Sequence, residues 1–236
     1  MRLGQIKWQG STTAAIFNHA TARPIPDYTL CDLICAAEKR GARLSDFAEE
    51  LAIPRSVPAE PLIPIQPREV WASRPEIFLK GTARSCVGPG QPIGMYSNST
   101  CLPDVALVLG ANGKILGYTL AAHTPAFHAS CALGPIVVTA DEILDPSSMR
   151  LTCTVVREGA VIFSAEARCE TNLGEMLDSL LQSNPVPAGS VFLTSAVVMD
   201  AAKLFAGDSV KVHIEQIGEL TNSIGFPQRA AAAARV

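Results

Sequence analysis

The sequence predicts an α+β protein, a small mixed N-terminal unit over 1–66 followed by a larger, strand-dominated unit over 67–225. Three observations carry this. Apolar residues recur at helical spacing in two short stretches near the N-terminus. A proline-rich segment then interrupts the chain at Pro58, Pro61, Pro64 and Pro67, and beyond it short apolar runs bounded by turn residues dominate.

In the first unit, 1–8 and 12–18 read as short strands. From Thr29, the residues Leu30, Leu33, Ile34 and Ala37 form one helical face that Gly41 ends, and a second helix is expected over 44–51, before Pro54. The proline-rich segment is expected to be an extended linker. In the second unit, two apolar runs flank Asn112-Gly113, the strongest short-range signal for a hairpin. Residues equidistant from that centre then face each other, so Leu102 lies opposite His123 and Asp104 opposite residue 121, all on one face. Strands are also expected over 135–138, 151–157, 160–167, 190–194 and 209–217, and a helix over 173–182. Thr139 to Glu142 reads as a capping box opening another helix, which makes Asp141 and Glu142 helix-start residues rather than catalytic acids. The alanine-rich tail, 226–236, is expected to be disordered.

Composition sets the class. The 236 residues are 48% apolar and 17% charged with net charge −3, enough for a sizeable core and without the basic footprint that nucleic acid or an anionic membrane needs. Seven cysteines, an odd number without a C-x-x-C pair, suit buried thiols in a reducing compartment. The N-terminus lacks a signal-peptide pattern and no apolar run reaches spanning length, so a cytoplasmic location is expected.

The order of motifs resembles the fumarylacetoacetate hydrolase (FAH) family. It comprises RPEIFLKG ending in Lys80-Gly81, CVGPGQPI from Cys86, Gly117-Tyr118-Thr119, SCALGP from Ser130, NPVPAG from Asn184, Ala206-Gly207-Asp208 and IGELTN from Ile217. The branch it is most similar to dehydrates or hydrolyses 2-oxo sugar acids. The resemblance implies an FAH-like mixed β-roll domain after a small α/β domain, a homodimer, and a small-molecule substrate or metabolite. It also implies magnesium or manganese held by three carboxylates on the hairpin strands, polarising the substrate carbonyl, with a lid that brings a general base.

At the three metal positions this chain has Leu102, Asp104 and His123. Leucine supplies no oxygen ligand, so the reading is a lost magnesium site and no cofactor; a softer divalent ion on Asp104 and His123 is the alternative. Only Ala72-Ser73 stands where relatives carry the lid, a substrate loop is reduced to 121–129, and the family's Thr-Gly-Thr becomes Thr194-Ser195-Ala196.

The catalytic candidates are therefore Asp104, His123, His128 and Lys80. Ser97, Asn98, Ser99, Thr100, Thr194 and Ser195 are candidates for substrate binding. Each has a plainer reading. Asp104 after Pro103 suits a solvated or turn-capping residue, His123 a loop polar residue, Lys80 a structural lysine with its head at the surface, and 97–100 a turn. Cys131 reads as packing, and His19 and His213 as incidental. Three functions follow: a divergent, metal-independent isomerase, dehydratase or cyclase of a biosynthetic pathway; a non-catalytic protein binding a metabolite or partner enzyme; or a residual metal-dependent hydrolase of 2-oxo acids or β-diketones.

Overall fold

A computed structural model describes residues 1–73, 76–94, 99–124, 130–169, 173–195 and 203–226, with Ser99 described by its backbone. The chain opens with an antiparallel meander of β1 (Arg2–Trp8), β2 (Ser11–Asn18) and β3 (Thr21–Ile25). The helical spacing that follows is realised as α1 (Leu30–Arg40) and α2 (Leu44–Leu51). Thr29 and Asp32 close a reciprocal capping box at the start of α1, and Gly41 ends it at φ 66°, a left-handed conformation glycine adopts without strain. The predicted stripe of Leu30, Leu33, Ile34 and Ala37 is buried.

The proline-rich stretch contributes one short strand, β4 (Val57–Pro58), at the sheet edge beside β3. Strands β5 (Val70–Ala72), β6 (Phe78–Gly81), β7 (Cys86–Val87), β8 (Ile93–Gly94) and β9 (Ser99–Thr100) follow. Next come the long central strands β10 (Leu102–Leu109), β11 (Ile115–His123) and β12 (Cys131–Thr139). The remainder is β13 (Arg150–Arg157), β14 (Ala160–Arg168), α3 (Leu173–Ser183), β15 (Ser190–Leu193), β16 (Lys203–Leu204), β17 (Ser209–Ile214) and β18 (Gly218–Gly225).

Among the described residues the main sheet runs β4-β3-β2-β1-β12-β11-β10-β15-β5-β6, with β7 paired to β12, so the N-terminal meander and the central strands share one sheet. A second sheet, β14-β13-β17-β18-β8, covers one face of it. Alternation along the central strands separates two cores. Val105, Leu107, Leu120 and Val138 face the second sheet with Leu151, Val212 and Leu220. Ala106, Val108, Ala121, Cys131 and Leu133 face the helices with Leu30, Ile34 and Phe47. Burial on both faces explains why these strands read as continuous apolar runs.

The hairpin pairs as the symmetry about Asn112-Gly113 requires, with Leu102 opposite His123 and Asp104 opposite Ala121. Asn112 (φ 54°) and Gly113 (φ 73°) are the two central turn residues, both with the positive φ a type I′ turn demands. A bulge beyond Val108 leaves that outer register intact.

Two expectations are corrected. The helix at Thr139 does not form: Thr139 ends β12, its hydroxyl accepts from the N-terminal ammonium at 2.6 Å, and Glu142 forms an ion pair with the same ammonium. The capping signal lost to tertiary contacts, because the strand's hydrogen bonds claim the residues that would open the helix. The strand expected over 209–217 is the first half of a hairpin that turns before Gly218 (φ 121°) and continues as β18.

Candidate functional site

The site lies on the helix-facing side of the main sheet, at the end of the central strands where β10 begins and β11 ends. Side chains two apart on a strand, and register partners on neighbouring strands, share a face. Leu102 and Asp104 on β10, His123 on β11, Cys131 on β12 and Cys86 on β7 therefore line one side.

Asp104 is fully buried and heavily bound. Its Oδ1 accepts from the backbone N–H of Val105 at 2.8 Å and from the Thr194 hydroxyl at 3.1 Å, and its Oδ2 accepts from the backbone N–H of Ser195 at 2.7 Å. The reading of Asp104 as a solvated strand-start residue is thus corrected: the sheet pairing of β10 with β15 carries Thr194 and Ser195 onto it. Three donors hold the carboxylate in one orientation, as a buried carboxylate requires. Ser73, at the end of β5, donates its hydroxyl to the Thr194 carbonyl at 2.5 Å and ties the short 72–73 connection to the same corner.

His123 is buried, with Nε2 at 3.7 Å from Oδ2 of Asp104. Its Nδ1 lies 3.2 Å from the Thr124 carbonyl, which can only accept, so Nδ1 carries a proton. Nε2, without a hydrogen-bond partner among the described residues, faces the carboxylate across a gap longer than a hydrogen bond. The Thr124 hydroxyl is buried and likewise without a partner among the described residues.

Lys80, expected with its head at the surface, is fully buried instead, and Nζ donates to the Thr124 carbonyl at 2.5 Å. Burial pushes its ammonium below the usual lysine range, opposed by the thiols of Cys131, Cys86 and Cys101. Burial in turn pushes the Cys101 thiol far up. Thr124 is missing from the sequence candidates because nothing in the sequence marks a carbonyl that gathers a lysine and a histidine.

Thr100 on β9 is half-exposed and pairs with Lys203 of β16. Ser97, Asn98, His128 and Ala196, and the Ser99 side chain, lie outside the described residues. Asp104, His123, Lys80, Thr194 and Ser195 are the candidates the described structure brings to one corner.

A divalent ion can be tested against this donor set. Magnesium requires near-octahedral oxygen coordination. The corner offers one carboxylate already accepting three hydrogen bonds, one imidazole, and an aliphatic side chain at Leu102, and the described residues contain no group of three His, Cys, Asp or Glu that could hold a metal. This set does not fit magnesium; Asp104 and His123 alone fit two positions of a softer ion such as zinc.

The fold is thus a mixed two-sheet, β-rich scaffold with a buried polar corner at one end of its central hairpin. Residues 118–225 match the family model described as fumarylacetoacetate (FAA) hydrolase C-terminal, and the chain carries a domain of that family. It is 35% identical over 177 residues to the 2-dehydro-3-deoxy-D-arabinonate dehydratase of Saccharolobus solfataricus, covering 65% of this chain and 59% of that one. It is 32% identical over 181 residues to a probable 2-keto-3-deoxyxylonate dehydratase of Haloferax volcanii, covering 65% and 61%. The chain thus spans about three fifths of the length of these curated relatives. A solved 2-keto-3-deoxy-D-arabinonate dehydratase, complexed with magnesium and 2,5-dioxopentanoate, superposes with TM-score 0.76 at 26% identity over 97% of this chain and 100% of the other. No described helix is long and apolar enough to cross a membrane.

Proposed function

We propose that this protein is a divergent enzyme of the FAH family that acts on a small 2-oxo acid, moving a proton with Asp104 and His123 where its relatives rely on magnesium. The observation that carries this is the buried approach of His123 Nε2 to Asp104 Oδ2 at 3.7 Å, in a corner whose donor set suits proton transfer better than magnesium. Asp104, fixed by three donors, stabilises the imidazolium that forms when His123 takes a proton from the carbon beside the 2-oxo group. Lys80 supplies positive charge for the substrate carboxylate or the developing enolate. Enolisation of this kind is the first step shared by isomerisation, dehydration and ring closure. In this reading the enzyme works as a homodimer in the cytoplasm.

The residual-hydrolase reading keeps one specific support: the two donors of Asp104 and His123 suit a zinc-like ion. One experiment separates the two. Metal-free protein is incubated in D₂O with a 2-oxo-3-deoxy sugar acid, and loss of the C3 proton signal is followed by NMR, with calorimetric titration of magnesium, manganese and zinc in parallel, alone and with oxalate. Metal-free exchange that His123→Gln abolishes is the expected result. Exchange that appears only with magnesium or manganese, together with oxalate-enhanced binding, overturns the proposal in favour of a family-type metalloenzyme. No exchange under any condition points to the non-catalytic, metabolite-binding reading.

A further inference from the structure

Two thiols lie side by side next to the candidate site without a part in the proton chemistry. Strands β7 and β12 pair in parallel with Cys86 and Cys131 as register partners, so both side chains leave the sheet on the same face. Register partners on adjacent strands stand at the Cα separation that disulfide geometry accepts. The Cys131 thiol donates to the Ala132 carbonyl at 3.7 Å; the neighbouring Cys86 side chain and burial hold it as a thiol, while the positive charge of Lys80 favours its thiolate. Their exposure differs: Cys131 is closed off in the core, whereas Cys86 is half-buried, its Sγ donating to the Thr82 carbonyl at 3.6 Å. On its other side Cys131 is the register partner of His123. Two further pairs of cysteines lie near each other: Cys31 and Cys35, a helical turn apart on α1, and the buried Cys101 and Cys153, of which Cys101 also lies near Lys80.

We propose that Cys86 and Cys131 are a peroxide-oxidisable dithiol that closes to a disulfide beside the candidate site. The half-buried Cys86 meets the oxidant first. Its sulfur attacks one peroxide oxygen, the O–O bond breaks, and Cys86 sulfenic acid and one water are formed. The Cys131 sulfur then attacks the Cys86 sulfur, the S–O bond breaks, and a second water leaves with the Cys131 proton. Hydrogen peroxide is reduced to two waters and the two thiols are oxidised to one disulfide, so atoms and electrons balance. The cross-link draws Cys131 toward β7 and away from His123, and removes two of the three thiols that favour the Lys80 charge, leaving Cys101. A reductant of the dithiol class reverses it.

The test uses the folded chain of 236 residues and no activity assay, so it stands whatever the fate of the proton-transfer reading. The reduced protein is treated with about one equivalent of hydrogen peroxide. Catalase ends the reaction, the protein is denatured and alkylated with iodoacetamide, and the linked peptides are mapped by mass spectrometry without reduction. The expected product is about 2 Da lighter before alkylation, links the Cys86 peptide to the Cys131 peptide, and reverts with dithiothreitol. Cys86→Ser, a change at a half-buried position, abolishes the link, and the double change Cys31→Ser with Cys35→Ser leaves it in place. Full alkylation of all seven cysteines, a link elsewhere, an intermolecular Cys86 dimer, or sulfinic acid on Cys86 without a link would each overturn the proposal.

Discussion

The Thr194 hydroxyl stands 3.1 Å from Oδ1 of Asp104 and 3.0 Å from the Val105 carbonyl, so one hydroxyl proton is shared between a carboxylate and the strand that bears it. This contact joins β15 to the start of β10 at the point where the candidate site begins. Replacing Thr194 by valine keeps the shape and removes the donor. The expected loss is about 1–3 kcal/mol in unfolding free energy, while Thr194→Ser, which keeps the hydroxyl, costs under about 1.5 kcal/mol. Urea denaturation of the two variants checks the difference; equal losses would assign the effect to packing alone.

Asp104→Asn presents an amide where two oxygens accept from Val105, Thr194 and Ser195. An N–H donor then meets at least one N–H or O–H donor in a buried corner. Stability is expected to fall by about 1–3 kcal/mol. On the proposed mechanism, deuterium exchange at the substrate C3 falls by about 10²-fold or more. Exchange at the wild-type rate in a folded Asp104→Asn protein rules out the role given to this carboxylate.

Arg157 grips the buried Asp208 carboxylate through two contacts of 2.8 Å, and the Phe205 backbone N–H adds a third. These hold the Asp208 carboxyl below the usual carboxylate range, the Arg157 hydrogen bonds being the largest cause. A carboxyl depressed in the folded state stabilises fully above the unfolded-state value, near 3.8. That contribution is lost as pH falls through the lower folded-state value. Acid unfolding of the wild type below that range is expected to be steeper than that of Asp208→Asn, which lacks the titrating carboxylate and starts less stable at neutral pH, by an amount that solvent screening at the partly exposed Arg157 limits. Parallel acid limbs in the two proteins would count against it.

A Cβ at Gly117 would stand 2.5 Å from the Val138 carbonyl oxygen and 2.8 Å from a Val137 methyl. Both belong to β12, which backbone pairing holds against β11. Gly117→Ala is expected to cost about 1–3 kcal/mol and, by shifting β11 against β12, to disturb His123 at its far end. Thermal unfolding measures the first effect, and the NMR shift of the His123 ring the second.

The helices α1 and α2, the Asn112-Gly113 hairpin and its outer register are legible in the sequence because each depends on local chemistry: a capping threonine, an apolar spacing, two residues that accept positive φ. Turn symmetry by itself puts Leu102, Asp104 and His123 on one face, and the pairing of β10 with β11 keeps them there. The helix expected after Thr139 fails for the same reason others succeed, since a local signal is outweighed by the pairing of β12 and the grip of the N-terminal ammonium on Thr139 and Glu142.

Sequence alone determined the α+β class and which side chains share the hairpin face, which follow from spacing along the chain, and its motifs, in their order, carried the family resemblance. Only the tertiary structure decided that Lys80 is buried on the Thr124 carbonyl, that β15 brings Thr194 and Ser195 onto Asp104, and that Cys86 lies beside Cys131. The physical reason is sequence distance. Thr194 is ninety residues from Asp104, and Lys80 is forty-four from Thr124, so no local preference encodes either contact. Such contacts arise when burial of the two apolar faces sets the strand order, and the polar groups carried along must then find partners in one another.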